Sequence, residues 1–155
     1  MGQMHVQRAI ELPDGPTLVI ATEVDDVRLQ AVQGRFAPLA EERGVELLVY
    51  NPMTADDSLY DFVMQATDNV GADDVVVSVP IASVMAEAAT LMNPNGMLVF
   101  FAGVPNGTMA PLDFSPVYLH NAQFTGTSGL TLEDQAQVMY GALDGSLSPE
   151  RMVAA

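Results

Sequence analysis

A short apolar run that ends in an acidic residue and leads directly into a helix constrains this chain more than any other feature. Residues 17–22 are predicted to form a strand, and Glu23 follows it. Asp25 can cap a helix that runs to Arg43 and ends at Gly44. A strand followed so closely by a helix is typical of parallel sheets. Glu23 is therefore expected at the carboxyl end of its strand, where open α/β sheets bind ligands.

Predicted strands and helices alternate along the chain. Helices are predicted over 3–12, 26–43, 56–67, 80–92, 115–121 and 131–143, with another starting at Ser148-Pro149, and strands over 17–22, 45–50, 74–79, 97–102 and 123–127. This alternation predicts an α/β fold: a Rossmann-like parallel sheet with helices on both faces, in one domain over 1–155.

Proline and asparagine residues give more local predictions. Pro38 is predicted to break the helix over 26–43 and to restart it. Pro80 is predicted to occupy the first turn of the helix over 80–92. Residues 93–96 are predicted to form a turn. The unbroken Val75–Val77 run predicts a strand buried on both faces.

Composition excludes several classes of function. The chain carries 20 acidic residues against five arginines and no lysine, a formal net charge of −15, so nucleic-acid and anionic-membrane binding are not expected. The absence of cysteine excludes disulfides, thiolate zinc sites and a cysteine nucleophile. His5 and His120 lack metal-ligand spacing. No apolar run reaches the roughly 18 residues of a membrane span, and a cytoplasmic location is expected.

Taken together, the order of elements resembles the cofactor domain of medium-chain dehydrogenases, the alcohol and sorbitol dehydrogenase relatives, many of which depend on zinc. The resemblance covers nearly the whole chain. It rests on Thr22-Glu23 followed by Arg28, on Ala72-Asp73-Asp74-Val75-Val76, on Asn93-Pro94-Asn95-Gly96 before Met97-Leu98-Val99-Phe100-Phe101, on Gly103-Val104-Pro105, and on Gln123-Phe124-Thr125-Gly126-Thr127-Ser128-Gly129.

The resemblance implies a role for each matching residue in binding NAD. Glu23 would hold the ribose diol, and its carboxylate would repel the 2′-phosphate of NADP. Arg28 would flank the adenosine ribose or its phosphate, and Gly2 stands in place of the last glycine of the pyrophosphate turn. The remaining positions would lie near the nicotinamide half or the adenine: Val79, Pro80, Gly103, Val104, Thr127 and Ser128.

The departures from the family pattern are equally informative. The first strand and the first two glycines of the turn are missing, as is the catalytic domain that would bind zinc, so the chain is expected to be truncated at both ends and inactive alone. Loss of the central strand would expose backbone edges on both of its neighbours. That gap is expected to close by direct pairing of the neighbouring strands, by a homo-oligomer formed through the sheet edges, or by a strand from elsewhere.

The sequence therefore predicts the NAD(H)-binding portion of a zinc-type oxidoreductase that acts on an alcohol or polyol. Two alternatives stay open. A methyltransferase-like domain that binds S-adenosylmethionine also ends its second strand in a ribose-binding acid. The chain is alternatively a non-catalytic fold fragment or interaction module. Catalytic residues and metal ligands are not assigned in this chain.

Overall fold

A computed structural model describes residues 2–148 and 150, and within it the chain forms two compact units. The first unit (described residues 2–56, 129–148 and 150) contains α1 (Gly2–Glu11), β1 (Leu18–Thr22), α2 (Asp26–Arg43), β2 (Glu46–Tyr50) and α6 (Leu132–Asp144). The second unit (57–128) contains α3 (Leu59–Ala66), β3 (Ala72–Val77), α4 (Ala82–Ala89), β4 (Met92–Phe100), α5 (Ser115–Leu119) and β5 (Gln123–Gly126).

In the first unit, β1 and β2 pair in parallel, from Leu18 opposite Glu46 to Thr22 opposite Tyr50. The apolar residues of α1 and α2 form a core with these strands, and Phe36 at its centre is fully buried. Burial of such aromatic and aliphatic side chains is the main force that holds short elements like these together. The strands and helices predicted for this unit up to residue 143 are confirmed, apart from their end positions and the break at Pro38.

The break predicted at Pro38 is wrong, because α2 continues through this residue. Proline cannot donate to the carbonyl four residues earlier, which belongs to Gly34. Both residues lie on the exposed side of the helix, where water can hydrate that carbonyl. The opposite side buries Phe36 and Leu39, which stabilise the helix on either side of the proline.

In the second unit, three strands form a parallel sheet in the order β3-β4-β5. Its core consists of Val77, Met85, Ala88 and Leu98. The valine run of β3 is less buried than predicted, since Val76 is 38 % exposed. Of its three valines, Val77 is the buried one.

Several boundaries in the second unit differ from the prediction. Strand β3 ends at Val77, whose carbonyl accepts the N–H groups of Phe101 and Ala102 at 3.1 and 3.0 Å, so the residues after it leave the sheet. Pro80 lies before α4, because Ile81 has an extended backbone and the helix starts at Ala82. Helix α3 starts at Leu59, where Ser58 caps it.

The predicted helix after Ser148-Pro149 runs into residues that lie outside the described part of the chain.

The turn predicted at residues 93–96 lies inside β4 as a bulge. Ala72 pairs with Met92 but Asp74 pairs with Met97, so four residues of β4 stand opposite one residue of β3. Asn95 has a φ of +67°, which shows why the segment has the sequence of a turn. A Cβ at Gly96 would lie 2.9 Å from the Asn93 carbonyl oxygen, so this position requires glycine.

The α/β fold with parallel strands is confirmed. The described strands form two separate sheets, each within one unit, and closure of the gap by direct pairing stays a prediction. Closure by oligomerisation or by a strand from elsewhere, and the single-domain organisation, stay predictions. Among the described residues, no helix is both long and apolar enough to cross a membrane.

Candidate functional site

The carboxyl end of β1 presents the side chain of Glu23. The Glu23 N–H donates to the Tyr50 carbonyl at 3.1 Å, which extends the pairing with β2 by one residue. Its carboxylate turns back on the chain: Oε1 accepts the N–H groups of Val24 at 2.9 Å and Asp25 at 3.2 Å. These two bonds orient the carboxylate and leave Oε2 with acceptor capacity for a ligand.

Arg28 lies one turn into α2, beside this carboxylate. Its Nη1 is 3.7 Å from Glu23 Oε2, and its Nε is 3.8 Å from Asp25 Oδ2. The Arg28 side chain is 67 % exposed and that of Glu23 is 27 % exposed, so water weakens the ion pair. Two carboxylates surround one guanidinium, and the cluster has a net charge of −1.

Local sequence explains why this turn folds as it does. Asp25 has an extended backbone and its Oδ1 accepts the Arg28 N–H at 3.0 Å, as expected of a helix N-cap. Gly44 ends the same helix in a left-handed conformation. The structure therefore confirms both predicted caps, and the Asp25 cap holds the start of α2 directly after the strand that carries Glu23.

Asn51, which directly follows β2, is a residue of this region that sequence reasoning missed. It is 6 % exposed, and its side-chain amide donates to the Val24 carbonyl and to the Asp26 carboxylate. The sequence signal that could have identified Asn51 is its place as a polar residue directly after β2, at the carboxyl end of the sheet.

The remaining predicted residues of the second unit all lie just beyond the carboxyl ends of its strands. They are Val79 and Pro80 after β3, Gly103 and Val104 after β4, and Thr127 and Ser128 after β5. Because the three strands are parallel, these segments share one edge of the sheet. The space around Gly103 is open, since a Cβ there would have no heavy atom within 4 Å.

The amino-terminal candidates lie on α1. Gly2 is its first residue, and free N–H groups at a helix start are suited to anions. Its predicted contact with pyrophosphate stays a prediction. Burial lowers the pKa of His5, which favours a neutral imidazole. In the part of the chain that the structure describes, no three His, Asp or Glu side chains are grouped as a metal site would require.

Two clefts lie away from the predicted residues. One, in the first unit, is lined by residues at the amino ends of β1 and β2, including Thr17 and Val45. The other, in the second unit, lies against α4 and α5 and includes Thr90 and His120. Open α/β sheets bind their ligands at the opposite, carboxyl ends of the strands. Glu23 and its neighbours are therefore the stronger candidate site.

The fold resembles part of the fold of solved dehydrogenases. A Bacillus subtilis 2R,3R-butanediol dehydrogenase superposes with a TM-score of 0.69 at 20 % identity, over 94 % of this chain and 38 % of that one. A Sinorhizobium meliloti protein described as a zinc-binding dehydrogenase, bound to NADP, gives 0.71 at 17 % identity, over 99 % and 42 %. An Escherichia coli protein described as a short chain alcohol dehydrogenase, complexed with NADH, gives 0.69 at 17 %, over 94 % and 38 %.

Curated sequences give more particular relatives. Mannitol-1-phosphate 5-dehydrogenase of Aliivibrio fischeri is 28 % identical over 155 residues, which is 99 % of this chain and 36 % of that protein. L-sorbose 1-phosphate reductase of Klebsiella pneumoniae is 27 % identical over 135 residues, 86 % of this chain and 32 % of that protein. No protein-family model matches the chain. The chain resembles the cofactor-binding part of zinc-type alcohol and polyol dehydrogenases and spans about a third of these relatives' length.

Proposed function

We propose that this chain binds NAD(H), as the cofactor-binding part of a zinc-type oxidoreductase that acts on an alcohol or polyol. The observation that carries the proposal is the Glu23 carboxylate at the carboxyl end of β1. Two backbone N–H groups orient it through Oε1, and Oε2 keeps acceptor capacity. A carboxylate held in this way fits the two hydroxyl groups of an adenosine ribose, which are hydrogen-bond donors.

The charge around Glu23 supports NAD over NADP. Glu23 and Asp25 both lie within 4 Å of the single guanidinium of Arg28, so the cluster stays negative. A 2′-phosphate would carry further negative charge to a carboxylate whose acceptor oxygens cannot donate to it. Solved relatives of the same fold carry NADH in one case and NADP in another, so the choice has to be measured.

The second unit supplies the proposed contacts with the other half of the cofactor. Val79 and Pro80 are assigned to the neighbourhood of the adenine or the nicotinamide ribose, Gly103 and Val104 to the nicotinamide, and the backbone of Thr127 and Ser128 to its carboxamide. Their common position beyond the carboxyl ends of parallel strands supports this assignment. Gly2, at the start of α1, is assigned to the pyrophosphate.

The parent reaction that we propose is hydride transfer between a secondary alcohol and NAD. When bound, the nicotinamide supplies the hydride chemistry, and the protein supplies position and electrostatics. The names of two curated relatives favour a phosphorylated polyol as the alcohol. Zinc and the substrate are assigned to a portion of the parent enzyme outside these 155 residues, so this chain alone is not expected to turn over alcohol. A cytoplasmic location and assembly through sheet edges belong to the same proposal.

Thermal unfolding with a panel of ligands tests the proposal. The melting temperature of the full chain is measured with NAD, NADP and S-adenosylmethionine at millimolar concentration. A ligand at about 100 times its dissociation constant stabilises the native state by roughly 2.7 kcal/mol. A rise with NAD that exceeds the rise with NADP supports the proposal. A rise with S-adenosylmethionine alone assigns the methyltransferase class instead, and a cooperative transition that no ligand moves favours a fragment without a nucleotide site.

A further inference from the structure

The turn that carries Glu23 is braced from the neighbouring strand by Asn51. Asn51 follows the last residue of β2, Tyr50, whose carbonyl already accepts the Glu23 N–H. The side chain of Asn51 reaches across to the turn between β1 and α2. The Asn51 residue is itself buried, whereas Val24 is 58 % exposed, so the amide holds a surface turn from its inner side.

The Asn51 amide makes three hydrogen bonds. Nδ2 donates to the Val24 carbonyl at 3.2 Å and to Asp26 Oδ1 at 2.6 Å. Oδ1 accepts the Met53 N–H at 2.9 Å. This pattern needs two donors and an acceptor on one short side chain, which is what an asparagine amide supplies and a carboxylate does not.

These contacts fix the groups that orient Glu23. Val24 accepts from Asn51 through its carbonyl and donates to Glu23 Oε1 through its N–H. The second donor to that oxygen is the N–H of Asp25, which lies in the peptide group formed with the braced Val24 carbonyl. A carbonyl and the N–H of the following residue share one rigid peptide plane. Holding the Val24 carbonyl therefore sets the direction of the Asp25 N–H.

We infer that Asn51 is a positioning residue that sets the preference of this site for an adenosine ribose with a free 2′-hydroxyl over one with a 2′-phosphate. This inference rests on the proposed function. Without the brace, the Glu23 carboxylate loses its fixed direction, so it holds the ribose diol less well. It also repels a 2′-phosphate less, because the carboxylate can turn away. Selectivity falls through both effects, whereas a general loss of stability would weaken both cofactors alike.

Two pairs of variants test the inference in the full chain. Asn51→Ala removes the amide, and Gln33→Ala removes an exposed amide on α2 of the same unit. Asn51→Asp keeps the shape but loses both donors, and Gln33→Glu makes the same change of charge at the exposed position. Dissociation constants for NADH and NADPH are measured by calorimetry, together with hydrogen exchange at the Val24 and Asp25 N–H groups.

Asn51→Ala is expected to weaken NADH binding about tenfold and to change NADPH binding less than about threefold, and Asn51→Asp is expected to weaken NADH binding at least as much. Exchange at the two N–H groups is expected to quicken about tenfold, and the Gln33 variants are expected to match the native chain. Equal weakening of both cofactors, or an unchanged NADH-to-NADPH ratio, overturns the role of Asn51. A native chain that binds neither cofactor overturns the proposed function and this inference together.

Discussion

At the scale of single residues, the two oxygens of the Glu23 carboxylate have different surroundings. Oε1 is occupied by two backbone N–H groups, while Oε2 lies 3.7 Å from an exposed guanidinium. Backbone hydrogen bonds to Oε1 thus orient the side chain, and Oε2 can still accept a hydrogen bond from a ligand. A substitution that keeps the shape of the Glu23 side chain but replaces one carboxylate oxygen by an uncharged amide nitrogen can therefore test the role of the carboxylate.

The substitution Glu23→Gln is expected to reduce the preference for NADH over NADPH by about tenfold or more. The glutamine keeps the length of the side chain but loses the charge, and hydrogen bonds to charged groups contribute roughly 1.5–3 kcal/mol. Titration calorimetry with both cofactors measures the ratio. Glu46→Gln, at the exposed first residue of β2, makes the same charge change in the same unit and is expected to leave the ratio unchanged. An unaltered ratio in the Glu23 variant would exclude this carboxylate as the ribose ligand.

Much of this site was predictable because its parts are local. Glu23 follows an apolar run, and Asp25 and Gly44 have the residue types of helix caps, so the sequence alone indicates the strand, the acid and the helix limits. Asn51 was not predictable in the same way. Its partners Val24 and Asp26 are 27 and 25 residues away in sequence, and the contact exists only because β2 pairs beside β1 in one particular register.

At the scale of elements, the proline at position 38 inside α2 lowers the stability of the helix. Because the residue is exposed and the helix is continuous around it, alanine can occupy the position without a change of packing. Proline is about 3 kcal/mol less favourable than alanine in a helix interior, and its stiffening of the unfolded chain offsets part of that difference. Pro38→Ala is expected to raise the free energy of unfolding by about 1–3 kcal/mol in urea titrations, with Gln33→Ala as control. A decrease would show that the ring makes contacts that the helix needs.

Helix α6 is expected to lose its first turn in acid. Thr131 and Asp134 form a capping box, and the hydrogen bond from the Thr131 backbone lowers the pKa of Asp134 below its ordinary value of 3.8. A lowered carboxyl pKa in the folded state means that the cap contributes stability above the ordinary value. That contribution is lost as the pH falls through the lowered value.

Hydrogen exchange of the α6 amides, followed from pH 6 to pH 3, measures this loss after correction for intrinsic rates. Exchange protection in the first turn is expected to fall below about pH 4 in the native chain. In an Asp134→Asn variant, the protection of that turn should change less with pH, since the titrating group is gone. If both proteins lose protection in parallel, the acid transition belongs to other carboxyl groups.

At the scale of the whole molecule, the chain carries a large excess of negative charge. With 20 acidic residues and five arginines, most carboxylates have no cationic partner available to them. Salt screens the repulsion between like charges over a Debye length of about 10 Å at 0.1 M. The melting temperature at pH 7 is therefore expected to rise when sodium chloride increases from about 10 mM to about 0.5 M. The rise should shrink near the isoelectric point of about 4.1, where the repulsion vanishes. A melting temperature independent of salt at pH 7 would mean that the charges are spaced too widely to matter.

Two of the strand predictions that differ from the structure share one physical cause. Helix limits at caps were predictable from single residues, but the end of β3 and the strand character of residues 93–96 depend on pairing between distant segments. Pro38 is the opposite case, in which tertiary burial of Phe36 and Leu39 overrides a local preference.

The bulge in β4 also has a consequence for how the chain finds its fold. Parallel strands with similar apolar residues can pair in several alignments during folding, and a slip by two residues keeps the same side chains on each face. Here four residues stand opposite Asp73, and the Asn95 N–H donates to the His120 carbonyl at 2.7 Å. If β3 and β4 paired in a shifted register, the bulge would have to form at other residues. Gly96 would then no longer lie at the position where a Cβ does not fit. The bulge thus favours the native register of β3 and β4 over registers shifted by two residues while the sheet assembles.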